Sequence, residues 1–272
     1  MKKALTIAGS DCSGGAGIQA DLKTFAAHGV YGMSVIVSVV AENTLHVLGS
    51  QNIVPEMIEK QIDAVLSDIG ADAVKIGMLP DSACMEAVAC RLREYRPRNV
   101  VTDPVMEAKD GCALMHPEAL DTLIRYILPL TDLLTPNIPE AETITGTGIS
   151  SPADMERAAR QIAALGPKAV LVKGGHSPGD AVDILFDGRE FRYYRAERIP
   201  TKNTHGTGCT YSSAIASCLA LGFALPEAVA RAKEYVTTAI RHSLAIGKGC
   251  GPTHHFYDLY RNGLQKGQTN HE

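Results

Sequence analysis

At 272 residues, 45% hydrophobic and 21% charged, the chain can bury one sizeable core and has the composition of an ordinary globular protein. A formal net charge of −4, no tryptophan and 5% aromatic residues argue against a nucleic-acid surface, a base-stacking platform or an anionic membrane partner. Seven cysteines at irregular spacing, with no Cys-x-x-Cys pair, disfavour a metal cluster and predict reduced thiols in a cytoplasmic protein.

Residues 1–7 run directly into strand-like sequence instead of a signal peptide, and no apolar stretch reaches the length of a membrane span. From there, short apolar runs alternate with helix-period segments. Strands are predicted over 4–8, 34–40, 73–76, 100–102, 133–135 and 169–172, and helices over 16–28, 55–67, 82–94, 117–128 and 152–165. A hairpin follows, 183–186 with 191–195 around Asp187-Gly188, then two long helices over about 208–221 and 226–244, a glycine-rich turn and a short terminal helix. Unbroken Val/Ile/Leu strands separated by helices predict a mostly parallel sheet covered on both faces. With no repeat, low-complexity tract or linker, residues 1–272 are expected to form one domain.

The densest chemical signal is Asn203-Thr204-His205-Gly206-Thr207-Gly208-Cys209-Thr210, placed just before a small, apolar helical segment. Its glycines permit a tight turn that aims successive N–H groups at one point. The helix start adds unpaired amides and a positive dipole end, so the segment is a ready phosphate site. Cys209 lies at its mouth, where a thiolate is expected to be favoured. The P-loop spacing is missing, which leaves phosphoryl transfer on another fold.

Ligands of open α/β sheets gather at the carboxyl ends of the strands, and polar residues recur there. Gly9-Ser10-Asp11-Cys12-Ser13-Gly14-Gly15-Ala16-Gly17-Ile18-Gln19-Ala20-Asp21 reads as a tight turn or as backbone approaching a small ligand, out of register with a dinucleotide fingerprint. Glu42 is a surface charge or a ligand-facing carboxylate, Met78 a core residue or a ligand contact, and Asp103 a holder of a cation or water. Asn137 and Glu140 weigh equally as hard-cation ligands and as a capping box. Lys173-Gly174-Gly175-His176 sets a cation beside a flexible turn, suited to a phosphate oxygen. Each signal is weak by itself; their joint placement points to one site.

Together with Ala8-Gly9-Ser10-Asp11 and Gly247-Lys248-Gly249-Cys250-Gly251-Pro252-Thr253-His254-His255-Phe256, these motifs resemble the hydroxymethylpyrimidine/phosphomethylpyrimidine kinases of thiamine biosynthesis, members of the ribokinase superfamily. The resemblance covers essentially the whole chain and implies a ribokinase-like three-layer α/β/α fold. It implies phosphorylation of 4-amino-5-hydroxymethyl-2-methylpyrimidine and then of its monophosphate, with ATP as co-substrate, Mg2+ as cofactor and a homodimer as the assembly. By the same resemblance the pyrimidine stacks between Ala16 and Met78 with Val105 beside them, while Asp21 and the Gly9 backbone meet its polar substituents. Asp103 and Glu140 are the implied metal residues, and Asn137, Lys173, Thr204 and Gly206 the nucleotide contacts. Gly206, Thr207, Gly208, Cys209 and Lys173 form the implied catalytic group.

Two positions complicate that pattern. Glu42 stands where the family commonly has Gln, and an ionised carboxylate only accepts, so Glu42 or the pyrimidine ring nitrogen must carry a proton. Cys209 replaces the Asp base of most ribokinase relatives, as is usual in this family. A neutral thiol does not repel the anionic acceptor of the second transfer. The nearest rival is a pyridoxal/pyridoxine kinase of the same superfamily, whose lid cysteine is poorly matched by Glu107-Ala108-Lys109 and Cys112. A non-catalytic pyrimidine-phosphate sensor is disfavoured by the transfer machinery. Cys84, Cys90, Cys218 and Cys250 read as packing residues, and His254 and His255 as structural ones.

Overall fold

The computed structural model describes residues 1–108, 111–175 and 180–263. Its frame is a nine-stranded sheet in the order β3-β2-β1-β4-β5-β6-β7-β8-β9. The strands are β1 (Lys3–Asp11), β2 (Tyr31–Glu42), β3 (Val47–Asn52), β4 (Ala73–Ile76), β5 (Val100–Thr102), β6 (Leu133–Leu134), β7 (Ala169–Val172), β8 (Ala181–Phe186) and β9 (Phe191–Ala196). Strands β2-β1-β4-β5-β6-β7 pair in parallel, and antiparallel partners close the edges, β3 on β2 and the β8–β9 hairpin on β7.

The central strands are apolar on both sides because both sides are covered. Leu5, Ile7, Val74, Ile76, Val100, Leu134 and Val170 face one core. That core is completed by α2 (Pro55–Leu66), α3 (Ser82–Tyr95), α5 (Ile138–Thr145) and α6 (Pro152–Ala163). The alternate positions Ala4, Ala73, Val101, Leu133, Ala169 and Leu171 face a second core. There they meet α1 (Gly17–Ala27), α7 (Thr207–Leu221) and α8 (Leu225–Arg241), and a short α9 (Tyr257–Asn262) follows. This period-two alternation fixes the register, since a one-residue slip would exchange the two cores. The expected three-layer architecture is borne out.

Three local expectations are corrected. Strand β3 was not anticipated: its Leu48, Gly49, Ser50, Gln51 and Asn52 are exposed at the sheet edge, so no apolar alternation marks it. The helix expected over 117–128 is a run of short turns. Tight turns at Pro117–Ala119 and Leu128–Leu130 flank α4 (Leu120–Thr122) and a wider turn at Leu123–Ile127. Pro129 contributes no N–H to the turn at Leu128–Leu130. Strand β6 stops at Leu134, although the Thr135 amide still donates to Thr102 O at 2.9 Å. Among the described residues, no helix is long and apolar enough to cross a membrane.

Candidate active site

The carboxyl ends of the parallel strands open into one cavity of about 840 Å³. At one end it is walled by Gly9, Ala16, Glu42, Met78 and Val105. Gly9 is required there, since a Cβ on it would come within 2.5 Å of the Met78 methyl. The loop after β1 is shaped by Asp11, whose Oδ1 accepts from the Ser13 amide (2.7 Å) and whose Oδ2 accepts from the Gly15 and Ala16 amides (3.0 and 2.7 Å). Its Oδ2 also accepts from His205 Nε2 at 2.9 Å. Burial would raise the Asp11 carboxyl, but the bonds from His205, Ser13 and Ala16 overcome it and hold the group well below the ordinary carboxylate range. Asp11 is therefore ionised and can only accept, which places the imidazole proton on Nε2.

The opposite wall is the turn into α7. Gly206 caps that helix with φ +77°, and a Cβ on it would lie 1.8 Å from Gly15 O, so the two glycine loops touch through backbone. The Thr207 hydroxyl donates to Thr204 O at 2.8 Å and closes the turn. The Thr207 amide donates to Thr204 O at 3.2 Å, and the next amides, of Gly208 and Cys209 in the cavity wall, precede the first carbonyl partner within their own helix. A Cβ on Gly208 would sit 3.0 Å from Asp103 Oδ2 and 3.6 Å from Lys173 Nζ, so the phosphate-type turn and this ion pair share one corner.

Asp103, buried at the end of β5, accepts from Lys173 Nζ at 2.5 Å and from the Thr135 hydroxyl at 3.1 Å. Burial opposes the Lys173 charge, but Asp103 and then Glu140 reverse the effect and raise its pKa. Asn137 and Glu140 form a complete capping box: Asn137 Oδ1 accepts from the Glu140 amide (2.9 Å) and Glu140 Oε2 from the Asn137 amide (2.7 Å). Both also line the cavity, so the two sequence readings describe the same residues. Burial pushes the Glu140 carboxyl upward against the pull of Lys173. Asp103 stands at the corner where Gly208 approaches and Glu140 lines the same cavity, and both are hard oxygen donors of the kind that suits a divalent cation.

Cys209 stands between the two ends of the cavity, and here two expectations are corrected. Burial pushes its thiol up to about 11 even though Lys75 opposes the shift, so the resting group is the neutral thiol and no thiolate is favoured. Desolvation outweighs the pull of Lys75 and of the Gly17 amide. Asp21 does not line the cavity: it is fully buried, with Oδ2 accepting from Lys75 Nζ (2.9 Å) and the Thr6 hydroxyl (2.6 Å) and Oδ1 from the Ser213 hydroxyl (2.7 Å). Its oxygens are consumed in tying α1 to β1, β4 and α7. Lys75 lies under the cavity floor, and Gly77 leaves room for it, since a Cβ there would come within 2.7 Å of Nζ.

Reading by motif missed Lys75, the role of His205, and a further wall formed by Tyr211, Lys233, Val236, Thr237 and Ile240 with the buried Asp183. Lys233 Nζ pairs with Asp183 Oδ2 at 2.7 Å. In sequence Lys233 is one more charge on the polar side of an amphipathic helix; nothing local marks it. Lys109 and His176 lie outside the described residues. Cys112 is exposed near the cavity rim at Gly111. His255 packs internally, its Nε2 3.1 Å from the Thr210 hydroxyl and its carbonyl accepting from Tyr235 OH.

Comparison with known proteins agrees with this geometry. A family model described as phosphomethylpyrimidine kinase matches residues 11–254. The hydroxymethylpyrimidine/phosphomethylpyrimidine kinase of Bacillus subtilis is 47% identical over 256 residues, 93% of this chain and 94% of the relative. The thiamine biosynthesis bifunctional protein ThiED of Geobacter sulfurreducens is 52% identical over 92% of this chain, which spans about half (51%) of that longer relative. A phosphomethylpyrimidine kinase structure from Clostridium difficile superposes with TM-score 0.80 at 50% identity, covering 88% of this chain and 100% of that one. An ADP complex of Bacillus subtilis pyridoxal kinase gives TM-score 0.88 at 41% identity, covering 94% and 98%. The fold, the glycine loops facing one another across the cavity and these matches agree: the chain belongs to the phosphomethylpyrimidine kinase family.

Proposed function

We propose that this chain phosphorylates 4-amino-5-hydroxymethyl-2-methylpyrimidine and then its monophosphate at the expense of ATP, acting in the cytoplasm in thiamine biosynthesis. One observation carries the reading: a single cavity joins a small apolar slot (Ala16, Met78, Val105) bearing the Glu42 carboxylate beside Asp11 to the glycine turn at Gly206–Cys209, flanked by Lys173 and Asp103. The slot takes a flat, amino-bearing ring, and the turn takes a phosphoryl group.

In the first transfer the hydroxymethyl oxygen bonds to the γ-phosphorus as the bond to the ADP oxygen breaks, and the hydroxyl proton passes to the Cys209 sulfur in its thiolate form. The amides of Gly206–Cys209 and the Lys173 ammonium oppose the charge on the phosphoryl oxygens, and Thr204 holds the turn that presents those amides. In the second transfer the acceptor is already an anionic phosphate oxygen, so no proton needs removal, and a neutral Cys209 presents no repelling charge. Asp103 and Glu140 would hold magnesium, which when bound neutralises phosphate charge. A homodimer is part of the proposal, supported by the exposed apolar Val39, Leu45 and Leu48 along the β2–β3 edge and tested by light scattering.

Mass spectrometry of products formed with Mg-ATP tests the assignment. Successive one- and two-phosphate products from the pyrimidine support it; turnover of pyridoxal alone replaces it with vitamin B6 salvage. That second reading is favoured by one observation, the 41% identity to a pyridoxal kinase over nearly the whole chain.

A further inference from the structure

His205, in the phosphate turn, reaches with its side chain into the opposite loop. Its Nε2 donates to Asp11 Oδ2 at 2.9 Å, and the same carboxylate holds the Ser13, Gly15 and Ala16 amides. A Cβ on Gly15 would meet the imidazole Cδ2 at 2.3 Å and Nε2 at 3.1 Å, so that edge of the ring packs against the loop backbone. Glu42 Oε2 stands 3.9 Å from the same Nε2. On its main-chain side His205 donates to Gly251 O (3.1 Å) and accepts from the Thr253 amide (3.3 Å), which anchors it to the C-terminal strap. Asp11, Glu42 and His205 bring ligand-type atoms within 4.8 Å of one another, a spacing that also suits a cation. With four protein donors already on the Asp11 oxygens, the trio is better described as a fastening.

We propose that the His205–Asp11 hydrogen bond is a positioning device that couples the acceptor-binding loop to the phosphate-binding turn, so that the pyrimidine and the nucleotide each tighten the binding of the other. The inference rests on the proposed function for the identity of the two ligands. Ordering of the turn by a phosphate fixes the imidazole. The imidazole fixes Asp11, and Asp11 fixes the amides that set Ala16 against the ring. By linkage the effect runs equally in the other direction. Loops in backbone contact, as Gly206 and Gly15 are, transmit such a displacement without a long path.

The test is calorimetric titration of the full chain with adenylyl imidodiphosphate and magnesium, with and without saturating hydroxymethylpyrimidine. The wild type is expected to bind the nucleotide at least about fivefold more tightly with the pyrimidine present, the lower end of common coupling strengths. His205→Ala should bring that ratio close to one. His205→Gln, whose amide N–H extends about as far as the imidazole Nε2, should retain most of it, a rescue that a merely space-filling role does not predict. Thermal melts establish that each variant is folded. A ratio of one in the wild type, a full ratio in His205→Ala, or equal ratios in the Ala and Gln variants overturns the coupling alone. No pyrimidine binding at all overturns the proposed function as well.

Discussion

Replacing Cys209 should separate the two phosphoryl transfers. With its thiol pushed up to about 11 by burial, at pH 7 the group sits about four units below its midpoint. Only about one molecule in ten thousand then carries the thiolate, and forming it costs about 5 kcal/mol at 1.36 kcal/mol per unit. If the thiolate removes the hydroxymethyl proton, kcat of the first transfer rises about tenfold per pH unit until the thiol titrates, whereas kcat of the second stays flat. Cys209→Ala should cost the first transfer about 10²–10⁴-fold, the usual worth of a general base, and the second far less. Cys209→Asp should restore a base for the first transfer and harm the second. A fixed carboxylate about 4 Å from the incoming monophosphate repels it by about 4 kcal/mol at an effective dielectric near 20. Quenched-flow assays at saturating substrate, with each phosphate product quantified, read both steps. Equal losses in the two steps for Cys209→Ala, or a pH-independent first transfer in the wild type, would refute the reasoning.

The Michaelis constant for the pyrimidine should depend on pH, because an ionised carboxylate only accepts, so either Glu42 or the ring nitrogen opposite it must carry a proton; in Glu42→Gln the dependence should vanish, and an unchanged profile sinks the idea. Lys75→Met strands the Asp21 carboxylate in the core and should destabilise the fold by about 3–5 kcal/mol. The double change Lys75→Met/Asp21→Leu should recover most of that in denaturant titrations. Gly206→Ala places a methyl against Gly15 O at a positive φ and should abolish ADP binding by calorimetry before it unfolds the protein. Burial, with Lys23 and His254 adding, lowers His255 from 6.5 to about 4, so the folded state takes up this proton less readily than the unfolded chain. Its contribution is complete above pH 6.5 and is lost as pH falls toward 4, about 3 kcal/mol at most. His255→Gln should flatten the stability curve in that window.

Much of this protein is local and therefore legible before folding. The alternation of apolar strands and helices determines a layered α/β sheet, because strands buried on both faces are apolar throughout, as Ala169–Val172 is and as Ala73–Ile76 is apart from the ion-paired Lys75. The turn at Gly206–Cys209 is equally local, since its glycines and the helix start make an anion site by backbone geometry alone. What the chain does not spell out is which side chains those loops bring together. Asp21 sits in the glycine-rich segment beside ligand-facing residues, yet Lys75, Thr6 and Ser213, distant in sequence, draw it into the core. Cys209 has a sequence context that favours a thiolate, and only its burial decides for the thiol. His205 and Asp11 are 194 positions apart and join the two halves of the cavity. Backbone conformation is set by neighbours along the chain, whereas charge state and partnership are set by neighbours in space, and those exist only once the sheet has closed its layers around them.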